Sequence, residues 1–126
     1  MRLFWICLGG AAGTAARYLL GGWLLERMGP AFPWGTLAVN LGGSFLIGFV
    51  METSLLTGAI NPTMRLALTT GVLGGFTTYS SFNYETLRLA ESGVWLTASA
   101  NVGATLLGCW AAGLLGVGAA RLLFLH

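Results

Sequence analysis

The chain has 126 residues, 56% of them hydrophobic and only 8% charged, with a mean hydropathy of +0.78. A soluble domain carries about a quarter charged residues, so this composition excludes an ordinary water-soluble globule and points to the membrane. The net charge of +2, arginines set against glutamates with no Lys or Asp, is too small to mark a partner of nucleic acid.

Four charge-free runs organise the chain: Leu3–Ala16, Met28–Met51, Leu66–Tyr84 and Ser92–Ala120. Crossing a bilayer takes about 20 helical residues. The last three runs suffice alone, and the first does so by continuing past Arg17 through Leu25. Helix 1 is therefore expected over Leu3–Leu25. Its start has the look of a signal peptide, with Arg2, an apolar stretch and Ala15-Ala16, but the apolar pattern resumes at once after Arg17 and suits a retained helix.

Glu26 to Pro30 forms the first turn. Helix 2 is expected over Pro33–Glu52, with Pro33 in its first turn where a missing amide proton costs little. Thr57 to Pro62 makes the second loop, and Thr63 is the expected N-cap of helix 3. Helix 3 runs from Met64 to about Leu89. Glu91-Ser92-Gly93 turns the chain into helix 4, expected over Val94–Leu123. The whole chain, 1–126, reads as one all-α, four-helix transmembrane domain.

Helix 3 carries Gly74-Gly75-Phe76-Thr77-Thr78-Tyr79-Ser80-Ser81-Phe82. A glycine pair followed by hydroxyls predicts a break near Gly74-Gly75. Hydrocarbon cannot satisfy loose backbone groups, so such a break must face protein or a water-filled path. Most of the 20 glycines mark close helix contacts instead, among them Gly9, Gly13, Gly43, Gly48, Gly71, Gly103 and Gly108.

Two polar stripes accompany the break. Thr36, Asn40 and Ser44 share one face of helix 2, and Thr97, Asn101, Thr105 and Cys109 share one face of helix 4. One stripe would serve as interhelical glue; two stripes and a broken helix read as a polar track. Tyr79 and Phe82, three residues apart, fall on one face of helix 3, and aromatic ring edges carry positive potential. Edges and amide donors together hold a small anion without a fixed charge that would bind it too tightly.

Arg17 is the one basic residue deep in a span, a position that is usually paired or functional. The glutamates lie at helix ends, and only Glu85 approaches the apolar zone. The single histidine is the terminal His126, Cys7 and Cys109 fall inside spans, and no nucleophile–base pair or phosphate loop is present, so an enzyme is not expected. Arg2, Arg65 and Arg121 on one side balance Arg27 and Arg88 on the other, with Arg17 nearer the second. That near-absence of orientation signal makes insertion both ways, and an antiparallel dimer, feasible.

The segments Gly13-Thr14-Ala15-Ala16-Arg17-Tyr18, Gly35-Thr36-Leu37-Ala38-Val39-Asn40 and Gly71 to Phe82 resemble the CrcB/Fluc family of bacterial fluoride channels, nearly end to end. The resemblance implies a dual-topology antiparallel homodimer in the cell (inner) membrane, with two pores that export fluoride passively. It implies that Asn40 donates a hydrogen bond to the ion and that Tyr79 and Phe82 turn ring edges toward it. Ser80 and Ser81 would lie beside them, with Asn101, Thr105 and Cys109 as the helix-4 track. It further implies a structural Na⁺ at the dimer centre, bound by main-chain oxygens of Gly74 and Thr77, and an electrostatic role for Arg17 at a vestibule. Tyr79 stands where the family usually has Phe. Competing readings are a small four-helix proton-coupled multidrug exporter, which would need a carboxylate in helix 1 before Glu26, and a non-transporting scaffold.

Overall fold

The computed structural model describes residues 1–125; His126 lies outside them. Every element among the described residues is helical: α1 (Arg2–Met28), α2 (Trp34–Thr57), α3 (Pro62–Leu66), a π-helical stretch (Ala67–Leu73), α4 (Gly74–Phe76), α5 (Tyr79–Glu91) and α6 (Trp95–Phe124). Three helices, α1, α2 and α6, are long and apolar enough to cross a membrane unaided. The remaining pass, third in chain order, is composite: α3, the π stretch and α4 run continuously, the chain opens at Thr77-Thr78, and α5 completes the crossing. The chain is thus a multi-pass helical membrane protein.

Tight turns join the passes, and each has a glycine at positive φ: Gly29 at 78°, Gly58 at 64° and Gly93 at 80°. A side chain would be strained there, so these positions close the turns cheaply only as glycine. The third pass begins with Asn61, whose Oδ1 accepts from the Met64 N–H at 2.8 Å, with Pro62 at the first helical position. Asn61 therefore takes the capping role expected of Thr63. Asparagine is the stronger cap, and Pro62 fixes the helix start two residues earlier.

Lipid tails are as apolar as leucine, so packing depends on backbones approaching closely. α1 lies against the third pass and α2 against α6. Between α1 and the third pass, a methyl at Gly75 would fall 2.5 Å from the Gly10 carbonyl oxygen, and one at Gly13 would overlap the Val72 carbonyl. Between α2 and α6, a methyl at Gly48 would fall 2.5 Å from the Gly113 carbonyl oxygen. Gly103 departs from expectation. A methyl there would meet nothing within 4 Å among the described residues, so the residue packs closely on no other helix of the chain. At the ends of α2 and α6, Arg121 Nε meets Glu52 Oε1 at 2.7 Å, an exposed pair that contributes at most about 1 kcal/mol.

A broken helix between two polar hollows

The interruption in the third pass falls at Thr77 (φ −85°, ψ 156°) and Thr78 (φ −153°, ψ 114°), both extended. The expected break at Gly74-Gly75 is corrected: that pair is helical, with Gly74 at φ −62°, ψ −38°. Gly75 is spent on the close approach to α1, while the threonines bring what a break requires, substitute hydrogen-bond partners. Thr77 Oγ1 donates back to the Leu73 carbonyl at 3.0 Å. Thr78 caps α5, its Oγ1 accepting from the Ser81 N–H at 3.3 Å.

Asn40 closes the rest of the gap. Its Oδ1 accepts from the Thr78 N–H at 2.8 Å, and its Nδ2 donates to the Thr78 carbonyl at 3.0 Å. An interhelical hydrogen bond in a membrane gives only about 0.6–2 kcal/mol. A backbone group left bare there costs several kcal/mol, so the carboxamide matters chiefly for what it prevents. Asn40 is 7% exposed, and one N–H of its amide is not used by Thr78.

A second chain of hydrogen bonds ties α5 to α6. Thr105 Oγ1 donates to Asn101 Oδ1 at 3.5 Å, at the limit of contact. Asn101 Nδ2 donates to Thr86 Oγ1 at 2.8 Å, and Thr86 Oγ1 donates to the Phe82 carbonyl at 2.7 Å. Asn101 is 1% exposed and Thr105 7%. The helix-4 stripe is thus divided: Asn101 is consumed in the interhelical bond, whereas Thr105 and Cys109 border open space.

That space is a hollow of about 350 Å³, walled by Asn40 and Ser44 from α2, Thr105 and Cys109 from α6, and Gly74, Thr77, Thr78 and Tyr79 from the third pass. On the other side of the break a second hollow, about 750 Å³, is bordered by Thr14, Arg17, Thr36, Thr78, Ser81 and Glu85. Thr78 borders both. Within the second, Thr36 Oγ1 donates to Glu85 Oε1 at 2.8 Å, and Glu85 Oε2 is buried without a partner among the described residues.

The two aromatics meet edge to face, ring centroids 5.5 Å apart and planes at 64°. They do not share an environment: Phe82 is 5% exposed and Tyr79 73%. Ser80 points outward beside Tyr79, and Ser81 turns inward, where its Oγ accepts from Thr78 Oγ1 at 3.1 Å. Sequence reasoning missed Thr78 and Thr86. Thr78 was legible as a hydroxyl three residues before Ser81, the spacing of a capped helix start; Thr86 had no signal, because its partner lies on another helix.

The break also frees carbonyls. The N–H of Thr78 goes to Asn40 and that of Ser81 to Thr78 Oγ1, so the carbonyls of Gly74 and Thr77 lose their regular helical donors. Among the described residues no cluster of His, Cys, Asp or Glu is placed to hold a metal. Any cation held here would depend on backbone oxygens, which a hard ion accepts.

Four helical passes, one broken at membrane depth and flanked by hydroxyl- and amide-walled hollows, define a polytopic membrane protein built around a polar path. The chain belongs to the CrcB-like protein, Camphor Resistance (CrcB) family, whose model matches residues 4–117. It is 57% identical over 120 residues to the "Fluoride-specific ion channel FluC" of Sorangium cellulosum, covering 95% of this chain and 94% of that one. It is 57% identical over 111 residues to the protein of the same name from Anaeromyxobacter dehalogenans (88% of each), and 53% over 116 residues to that of Geobacter metallireducens (92% and 94%).

Proposed function

We propose that the chain is a passive, fluoride-selective channel that lets F⁻ leave across the inner membrane and so relieves fluoride toxicity. The observation that carries the reading is the pair of hollows meeting at Thr78, the first walled by uncharged polar groups and the Tyr79 ring, the second by hydroxyls together with Arg17 and Glu85; relatives at up to 57% identity bear a fluoride channel's name. Fluoride is small and strongly hydrated. A path for it must replace water with hydrogen-bond donors yet hold the ion loosely enough to release it. The unused amide N–H of Asn40, the hydroxyls of Ser80 and Ser81, and the thiol of Cys109 supply such donors, and Thr105 joins them when its hydroxyl turns from Asn101. Ring edges of Tyr79 and Phe82 add positive potential without net charge.

The working unit is an antiparallel homodimer with two pores. A single subunit leaves Tyr79 and Asn83 exposed on α5 at or near membrane depth, where polar groups need partners. Arginines nearly balanced between the two sides permit both orientations. A structural Na⁺ fits the same assembly. The Gly74 and Thr77 carbonyls of one subunit are too few to replace a hydration shell, and the same pair from a second copy completes a ligand set. With no carboxylate in α1 before Glu26, a proton-coupled drug exporter is disfavoured.

The test is electrode-measured fluoride efflux from proteoliposomes, with valinomycin carrying compensating K⁺ and chloride as control. Wild type should release fluoride and retain chloride, while Phe82→Ile should lose flux with the dimer intact. Intact dimers that release no fluoride would overturn the reading.

A further inference from the structure

Arg17 sits on α1, half-buried, and makes no ion pair among the described residues. Its Nε instead donates to the Gly75 carbonyl at 2.9 Å. That carbonyl belongs to the last turn before the break. Because Thr77 and Thr78 are extended, the carbonyls of this turn lose the amide partners that a continuous helix would give them. A cation also suits this end of a helix, where the aligned peptide dipoles present negative charge. The neighbouring Gly75 Cα lies close to α1, where a methyl would stand 2.5 Å from the Gly10 carbonyl oxygen, so the guanidinium and the glycine contact fix one short segment against α1.

We infer that Arg17 is a positioning residue for the helix break. Through Nε it holds the Gly75 carbonyl, and thereby sets where Thr77 and Thr78 leave the helix and how Thr78 is offered to Asn40. This goes beyond an electrostatic role at a vestibule, because charge alone does not meet the requirement. Lysine carries the charge on a flexible stem with no planar Nε–H, so it does not reproduce this bond. Among the described residues the remaining guanidinium N–H groups have no hydrogen-bond partner, and Arg17 lines the hollow that Thr14, Thr78 and Ser81 also border. The consequence for conduction rests on the channel reading above; the bond itself does not.

Labelling glycine with carbonyl ¹³C and phenylalanine with ¹⁵N selects only Gly48-Phe49 and Gly75-Phe76, the two Gly-Phe pairs in the chain. With arginine ¹⁵Nε added in wild-type protein in bilayers, the Gly75 carbonyl should show dipolar dephasing from arginine, and the Gly48 carbonyl should not. Arg17→Lys and Arg17→Met should both move the Gly75 signal and leave Gly48 in place. Fluoride efflux should fall about tenfold or more in both, since a binding constellation tolerates only about 0.5 Å of looseness. Absence of dephasing in wild type overturns the inference whether or not the variants fold. Wild-type efflux from Arg17→Lys, with its Gly75 signal shifted, overturns the positioning role. Wild-type protein that shows the dephasing but no fluoride efflux contradicts the channel reading instead.

Discussion

Asn40 and Thr78 form a closed pair across 38 positions of sequence: the carboxamide of one takes both the N–H and the carbonyl of the other, at 2.8 and 3.0 Å. A helix side chain thus stands in for the neighbouring backbone at the point where the third pass opens. Substituting Asn40→Asp keeps an acceptor for the Thr78 N–H but removes the donor to its carbonyl and adds a negative charge beside the proposed anion path. A carbonyl left unpaired costs about 1–3 kcal/mol, so fluoride efflux should fall about tenfold or more. Proteoliposome efflux with the dimer verified by gel filtration checks this.

The glycines divide into two experimental classes. Gly13→Ala and Gly75→Ala force a methyl onto the Val72 carbonyl and the Gly10 carbonyl. Overpacking of this kind costs about 1–3 kcal/mol. Gly103→Ala meets nothing within its own subunit and should be neutral to folding of the subunit. Thermal unfolding in detergent should show a lower Tm for the first two. A methyl at Gly103 that nevertheless weakens self-association would place that face in the contact between copies.

How much of this is legible in the sequence varies by element, for physical reasons. The four passes are plain, because charge-free length is a local property and the bilayer fixes what length means. The two stripes are visible as i, i+4 spacing, and the hollow does gather Asn40, Ser44, Thr105 and Cys109. The break lies a few residues beyond its expected place. Glycine pairs signal flexibility, but here Gly75 serves backbone approach while Thr77 and Thr78 open the chain. Distinguishing those uses requires knowing that Gly10 lies opposite, which is a tertiary fact. Asn101 likewise reads as lining and is instead tied to Thr86, a partner on α5 that helical spacing within α6 cannot reveal.

That tie gives a third test. Thr86→Val keeps shape but removes the acceptor of the Asn101 amide and the donor to the Phe82 carbonyl. The Phe82 carbonyl keeps the Thr86 N–H of its own helix, but the Asn101 amide is left short, and stability should drop by about 1–3 kcal/mol, less any local relaxation. Thr86→Ser keeps the hydroxyl and should stay within about 0.5 kcal/mol of wild type. Denaturation of the detergent-solubilised protein separates the two; equal loss in both would deny the hydroxyl its role.

The proposed Na⁺ is accessible through linkage. A ligand bound only by the assembled state raises stability by about 1.4 kcal/mol for each tenfold rise in concentration above its Kd. The Tm of the dimer should therefore climb with Na⁺ and fall when Na⁺ is replaced throughout purification by a large organic cation. A flat response from micromolar to molar Na⁺, at constant ionic strength, would rule the cation out.

The central claim is that the path through the two hollows, lined by hydroxyl and amide donors, selects fluoride. Planar-bilayer recording under opposed fluoride and chloride gradients tests it most directly. Currents should reverse at the fluoride equilibrium potential and be insensitive to the chloride gradient. Currents reversing at the chloride or K⁺ potential, or silence from demonstrably dimeric protein, would contradict the claim.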